Sequence, residues 1–216
     1  MNNLEFILIF LIFNLFINLF HNKISKFINV YDFPNKRKIH KIKTPLLGGY
    51  IVLFNILLFS FLIFTNLYNL NLIQHIFYSK FQFIIFLCAT ILIFLVGAID
   101  DKKNLNPNYK LLILTIIVFV ILFLDNSLII TDLRFSFISQ TIHLGKYSFI
   151  FTLLCFLLFI NACNMFDGIN LQSSSYFIIL ILSLIIFDIK NIFLIFLLCS
   201  LIFIFKLNIN GKIFMG

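Results

Sequence analysis

The chain has 216 residues, of which 62% are hydrophobic and 11% charged, with a formal net charge of +8. A soluble domain carries about 25% charged residues, so this composition excludes a water-soluble globule and points to an integral membrane protein. Trp is absent, Arg occurs twice and Phe 32 times. That bias fits an A/T-rich genome, so Phe stripes are expected to face lipid or pack rather than to mark a site.

Seven apolar segments follow in chain order, at about 4–20, 46–65, 81–98, 111–124, 148–163, 173–187 and 191–205. Their lengths predict an all-α, polytopic helical bundle with about seven transmembrane helices, forming a single membrane domain over 1–216. The first segment lacks a basic flank and a small-residue cleavage site, so it is expected to be a membrane helix and not a cleaved signal. The fourth and the last two are short for a bilayer at roughly 1.5 Å per residue. The split at Asp188–Asn191 competes with one long kinked segment over 173–205. Loops at about 21–45, 99–110, 164–172 and 206–216 fall on one side if every segment crosses once. Twelve of the 16 Lys and Arg lie on that side, which makes it cytoplasmic and places the N-terminus outside. Tyrosines cluster near the predicted helix ends, where they supply an interfacial belt. The longest outer loop, 125–147, is expected to hold a hairpin or short helix and no chemistry. Cys88, Cys155, Cys163 and Cys199 form no CxxC pair and are expected to be small buried hydrophobes.

Polar chemistry gathers on the cytoplasmic side. Asp100 and Asp101 are expected at a helix C-terminus, where the macrodipole disfavours anions and nearby hydrocarbon penalises charge. A hard cation such as Mg²⁺ would compensate them; a solvated turn balanced by Lys102 and Lys103 is the other reading. Lys110 begins the next helix, within reach of a phosphate, and Pro107 suits a turn or first helical position. The loop Asp32-Phe-Pro-Asn-Lys-Arg-Lys-Ile-His-Lys-Ile-Lys-Thr-Pro-Leu-Leu-Gly-Gly49 combines cations with a glycine pair at a helix start. That pattern suits a phosphate, although orientation or anionic lipid would also explain its charge. Asn161 and Asn164 share a helix face before the turn at Asp167-Gly168, either as a polar cap or as part of a site.

Four motifs occur in one order: Asp32-x-Pro-x-x-Arg-Lys-x-His with Pro-x-x-Gly-Gly, Gly-x-x-Asp-Asp…Leu-x-Pro-x-x-Lys, Asn-x-x-Asn-Met-x-Asp-Gly, and Lys-Ile-Phe-Met-Gly. From about residue 30 onward the chain resembles the polyprenyl-phosphate N-acetylhexosamine-1-phosphate transferases of glycosyltransferase family 4. The first loop looks more like members using simple UDP-N-acetylhexosamines than those using the muramoyl-pentapeptide. The resemblance implies transfer of a sugar-1-phosphate from a UDP-N-acetylhexosamine to undecaprenyl phosphate, releasing UMP, as an initiating step of cell-envelope polysaccharide synthesis. It implies a Mg²⁺ site, with Mn²⁺ as the alternative ion, on the cytoplasmic face of a bacterial inner membrane. Carried over, Asp100, Asp101 and Asp167 are catalytic, and Asp101, Asn164 and Asp167 hold the metal. Asp100 is expected nearest the lipid phosphate, as base or organiser. Arg37, Lys38, His40, Lys43, Lys110, Asn161 and Asn170 are the substrate-binding candidates. The partners implied are the two substrates and the bilayer; no nucleic acid is expected.

Two departures stand out. Relatives commonly continue Asp-Gly-x-Asp-Gly, whereas this chain reads Asp167-Gly168-Ile169-Asn170-Leu171, which bears on base or sugar preference. Relatives also follow Phe-Met-Gly with an aspartate that helps hold the metal, and with further helices. The 216 residues are therefore expected to be the N-terminal two-thirds of an enzyme, inactive alone. A flippase of polyprenyl-linked sugars and a non-catalytic scaffold are the competing readings. A flippase would place ionisable groups near the bilayer midplane, and the predicted helix centres hold none.

Overall fold

The computed structural model describes residues 3–33, 43–65, 77, 79–137, 140–166, 171–187 and 192–215. The described residues form seven α-helices: α1 (Asn3–Ile28), α2 (Gly48–Phe64), α3 (Lys80–Lys103), α4 (Pro107–Leu124), α5 (Ser148–Phe166), α6 (Gln172–Ile186) and α7 (Ile192–Ile209). Two short antiparallel pairs accompany them, β1 (Tyr31–Asp32) with β2 (Thr44–Pro45), and β3 (Asp132–Leu133) with β4 (Ile142–His143). Five helices are long and apolar enough to cross a membrane, and α2 and α6 are shorter apolar helices. This is a polytopic helical membrane protein.

Each expected apolar segment is a helix, with α6 ending at Ile186 and α7 starting at Ile192 while the expected split site Asp188–Asn191 lies outside the described residues, and several ends shift. α1 runs to Ile28, so His21, Lys23 and Lys26 lie on a helix and not in a loop. α3 runs to Lys103 and α4 starts at Pro107, so Asp100, Asp101 and Lys110 are helical. α4 and α7 reach 18 residues each, or about 27 Å, which removes the shortfall expected for them. α6 keeps only 15 residues, about 22 Å.

The chain divides into two compact units, Met1–Ser79 with Phe166–Gly216, and Lys80–Met165. In the first, α7 packs against α1, α2 and α6. Ile17, Leu47, Ile51, Ile181, Leu201, Ile204 and Ile213 are among its buried core. Phe10, Phe59 and Phe196 meet ring to ring across α1, α2 and α7. One polar pair lies inside this apolar packing. Asn14 of α1 and Asn55 of α2, each 1% exposed, exchange amide hydrogen bonds of 2.8 and 3.1 Å. Each also donates to the carbonyl four residues back on its own helix, Phe10 and Ile51. Four bonds thus satisfy two amides where no water is available to do so.

The same unit contains a strained turn. Leu171 precedes α6 with φ of 68°, a left-handed conformation that leucine rarely adopts. Its carbonyl accepts from the hydroxyls of Ser174 and Ser175 and from the Ser175 N–H.

In the second unit, α3, α4 and α5 enclose a core of Val96, Leu114, Val118, Leu122 and Leu157. At one end Gln82 of α3 donates to Asp125 and Ser127 just after α4, and Thr152 of α5 accepts from the Ile130 N–H. Exposed side chains such as Phe123 and Leu158 cover the outside, as lipid-facing helices require. Cys88 is exposed on α3, and Cys155, Cys163 and Cys199 are half-buried, so none of the four thiols has the full burial expected of it.

The 125–147 segment does hold short helical turns and the β3–β4 hairpin. It also holds a carboxylate–imidazole contact that the sequence did not disclose. The His143 imidazole Nδ1 pairs with the Asp132 carboxylate across the hairpin, and the Thr131 hydroxyl donates to the other oxygen at 3.1 Å. These hydrogen bonds hold the Asp132 carboxyl below its usual range. A depressed folded-state pKa gives stability that is full above about 3.9 and is lost as pH falls through the lower folded value. The Asp132 side-chain carboxyl ¹³C shift should therefore titrate below that value in lipid nanodiscs. A midpoint at or above it would remove the pair from the account of the hairpin.

Candidate active site

The α3–α4 corner explains how two charges come to rest at unfavourable helix ends. Asn104 adopts φ of 49°, a left-handed geometry that Asn tolerates, and its N–H closes on the Asp100 carbonyl at 2.7 Å. The helix ends there. Asn106 then caps α4 by accepting from the Asn108 N–H at 3.0 Å, with Pro107 in the first turn, the position the sequence suggests for it. This tight corner turns Lys110 back on Asp100.

One Asp100 carboxylate oxygen accepts from the Lys110 ammonium at 2.6 Å, and the other accepts from the Leu105 N–H at 3.0 Å. A carboxylate at a helix C-terminus and an ammonium at a helix N-terminus each oppose the macrodipole. Paired, each relieves the other. Lys102 and Lys103 sit in the last turn of α3, where cations are favoured. Asp101 is half-buried in the same turn. The compensation expected for the aspartate pair is thus supplied in part by the chain's own lysines.

Asn161 and Asn164 lie in the last turns of α5, the first half-buried and the second exposed. Val96, Leu114 and Leu157 share one core cluster. Asp100 follows Val96 by one turn, Lys110 precedes Leu114 by one turn, and Asn161 follows Leu157 by one turn. The cluster therefore places Asp100, Lys110 and the two asparagines at one end of this unit. The Gln82–Asp125 and Ile130–Thr152 bonds mark the opposite end.

Asp167 and Asn170, and Arg37, Lys38 and His40, lie outside the described residues. Lys43 belongs to the other unit. Its ammonium stands 4.1 Å from the Tyr31 ring centroid and 5.8 Å from that of Phe33. Among the described residues no three His, Cys, Asp or Glu side chains gather as a metal-binding group. The described members of the expected ligand set, Asp101 and Asn164, offer the hard oxygen donors that Mg²⁺ takes. The oxygens of Asp100 are already engaged by N–H donors.

One expectation is corrected. The start of α2 does not hold free N–H groups for a phosphate. The Phe214 carbonyl accepts from Leu47 and Gly48, at 3.1 and 3.0 Å, and the Met215 carbonyl accepts from Gly49 at 2.7 Å. Backbone of the segment around Phe214 and Met215 fills the place where an anion was expected. The glycine pair was the available signal: it announced a close approach without naming what approaches.

Comparison with known proteins bears on most of the chain. Glycosyl transferase family 4 matches residues 83–216, more than half of the sequence. The undecaprenyl-phosphate alpha-N-acetylglucosaminyl 1-phosphate transferase of Escherichia coli (strain K12) is 31% identical over 166 residues, 77% of this chain and 41% of that protein. The proteins of the same name from Salmonella typhi and Yersinia pestis are each 32% identical, over 76% and 68% of this chain and 41% and 37% of their own length. The matched part thus spans about two fifths of these relatives. No solved structure matches. With four ordered motifs and a matching family over more than half its length, the chain belongs to glycosyl transferase family 4.

Proposed function

We propose that the protein transfers an N-acetylhexosamine-1-phosphate, such as GlcNAc-1-phosphate, from a UDP-sugar to undecaprenyl phosphate on the cytoplasmic face of a bacterial inner membrane. The observation that carries this reading is the Asp100–Lys110 pair. It sits beside Asp101, at the same end of α3–α5 as Asn161 and Asn164, in a chain whose relatives are named for this chemistry.

A lipid phosphate oxygen attacks the phosphorus that bears the sugar. The bond from that phosphorus to the bridging oxygen breaks, and UMP leaves with the electron pair. The nucleophile has its second pKa near about 6, so it is largely ionised and needs little help from a base. The main barrier is repulsion between anions, which fixed cations lower. Lys110 has three ammonium protons; one binds Asp100, leaving two for phosphate oxygens. In this reading Asp100 organises Lys110 and takes up no proton. Asp101 and Asn164, with Asp167, would hold Mg²⁺, which when bound neutralises the diphosphate. Arg37, Lys38, His40 and Lys43 contact phosphate, and Asn161 and Asn170 bind the donor.

Membranes from cells expressing the complete gene should pass label from radiolabelled UDP-GlcNAc to a polyprenyl lipid, releasing UMP in equal amount. Chelation with EDTA should abolish the transfer, and Mg²⁺ should restore it. Release of UDP, or no labelled lipid with any UDP-N-acetylhexosamine, would reject the reading. Transfer that survives exhaustive chelation would reject the metal.

A further inference from the structure

The base of the first basic loop is tied to the segment around Phe214 by backbone hydrogen bonds as well as by the packing of Ile213 against Leu47 and Ile51. Thr44–Leu46 is bonded on both sides. On one side Tyr31 and Asp32 pair with Pro45 and Thr44, and the Leu46 N–H donates to the Val30 carbonyl at 3.1 Å. On the other, Leu46 bridges in parallel with Phe214, whose N–H donates to the Pro45 carbonyl at 2.9 Å. The strap then continues onto the start of α2 through the Phe214 and Met215 carbonyls.

Gly48 decides whether that seat can form. A Cβ there would lie 2.6 Å from Met215 Cα and 2.9 Å from Met215 O, both backbone atoms, and 2.8 Å from Met215 Sδ. A flexible thioether can move aside; the peptide cannot without breaking the Gly49 and Gly48 bonds. Lys43 immediately precedes the strapped segment, and its ammonium rests over the Tyr31 ring of the paired strand at 4.1 Å, a cation–π contact.

We propose that Gly48 is a positioning residue for Lys43: it admits the Met215 backbone against α2, and the strap so seated fixes the register of Thr44–Leu46 and hence the place of that ammonium. The proposal rests on the reading above in taking Lys43 as a phosphate contact.

The test uses the protein expressed from its complete gene, with hydrogen exchange and kinetics measured on Gly48→Ala, Met215→Ala, their double variant and Lys43→Gln. In the wild type the amides of Leu47, Gly48, Gly49 and Phe214 should exchange slowly. Gly48→Ala should speed their exchange and raise the KM for UDP-GlcNAc about tenfold, the scale of one charge-assisted contact, with kcat little changed. Met215→Ala should do neither and should not rescue Gly48→Ala. Lys43→Gln should raise KM alike, and adding Gly48→Ala to it should raise KM no further. Fast exchange of the wild-type amides, rescue by Met215→Ala, or a kcat loss at constant KM would each overturn the proposal. Slow exchange in a protein that transfers no sugar phosphate would uphold the strap and sink the functional reading, and with it the role of Lys43.

Discussion

Asp100→Asn lowers sugar-1-phosphate transfer by about 10²–10³-fold, the cost of removing one fixed electrostatic group from a transition-state array, while the protein still inserts in the membrane. The substitution is a narrow one. Asn keeps an oxygen that can accept from the Leu105 N–H, which is 3.0 Å from Oδ1 in the wild type, so the corner retains its backbone clasp. What disappears is the negative charge 2.6 Å from the Lys110 ammonium. Lys110 is then released from its fixed place, and its half-buried charge loses its partner. Because Asp100 acts through Lys110, Lys110→Ala should fall to a similar rate, and the double variant should fall no further than the worse single one. Full additivity would assign Asp100 a separate role at the reacting phosphate. Near-normal transfer by Asp100→Asn would remove it from the machinery altogether.

The second large effect is on stability. Asn14→Leu leaves Asn55 with its bond to the Ile51 carbonyl at 2.8 Å but strips its buried oxygen of the Asn14 donor. An unsatisfied buried group costs about 1–3 kcal/mol, whereas interhelical polar pairs in membranes average a net contribution of about 0.6 kcal/mol. The expected loss for either single variant is therefore about 1–2 kcal/mol, within that bracket, and the double Leu variant should lose less than the worse single one. Steric-trapping or detergent unfolding measurements resolve the difference. If the two losses simply add, the amides are independent polar caps and not one interhelical clasp.

The spans were legible because hydropathy reports where hydrocarbon begins. It does not report where a helix ends, since the backbone keeps its hydrogen bonds beyond the interface. Lys26, Asp100, Lys103 and Lys206 are polar and helical for that reason, and each fell outside its expected segment. The polar end of α3–α5 was legible from residue type and spacing. The pairing within it was not, because it depends on the left-handed Asn104 that turns Lys110 towards Asp100. Asn14 and Asn55 sat in plain view inside apolar runs 41 residues apart, yet nothing in a linear reading joins them. The strap was least legible of all. Its bonds run between backbone groups, which every residue carries, and Gly48 is its one mark in the sequence.

Leu171 occupies the place where the resemblance expects the closing glycine of Asp-Gly-x-Asp-Gly, and its φ of 68° is one that glycine adopts without strain. Leucine tolerates that geometry at a cost of about 1–2 kcal/mol. The peptide directly behind the amide-and-carboxylate stretch is therefore held under tension by the serines that bind its carbonyl. Leu171→Gly should relieve that strain, and the first turn of α6 is where thermal fraying of the first unit should begin.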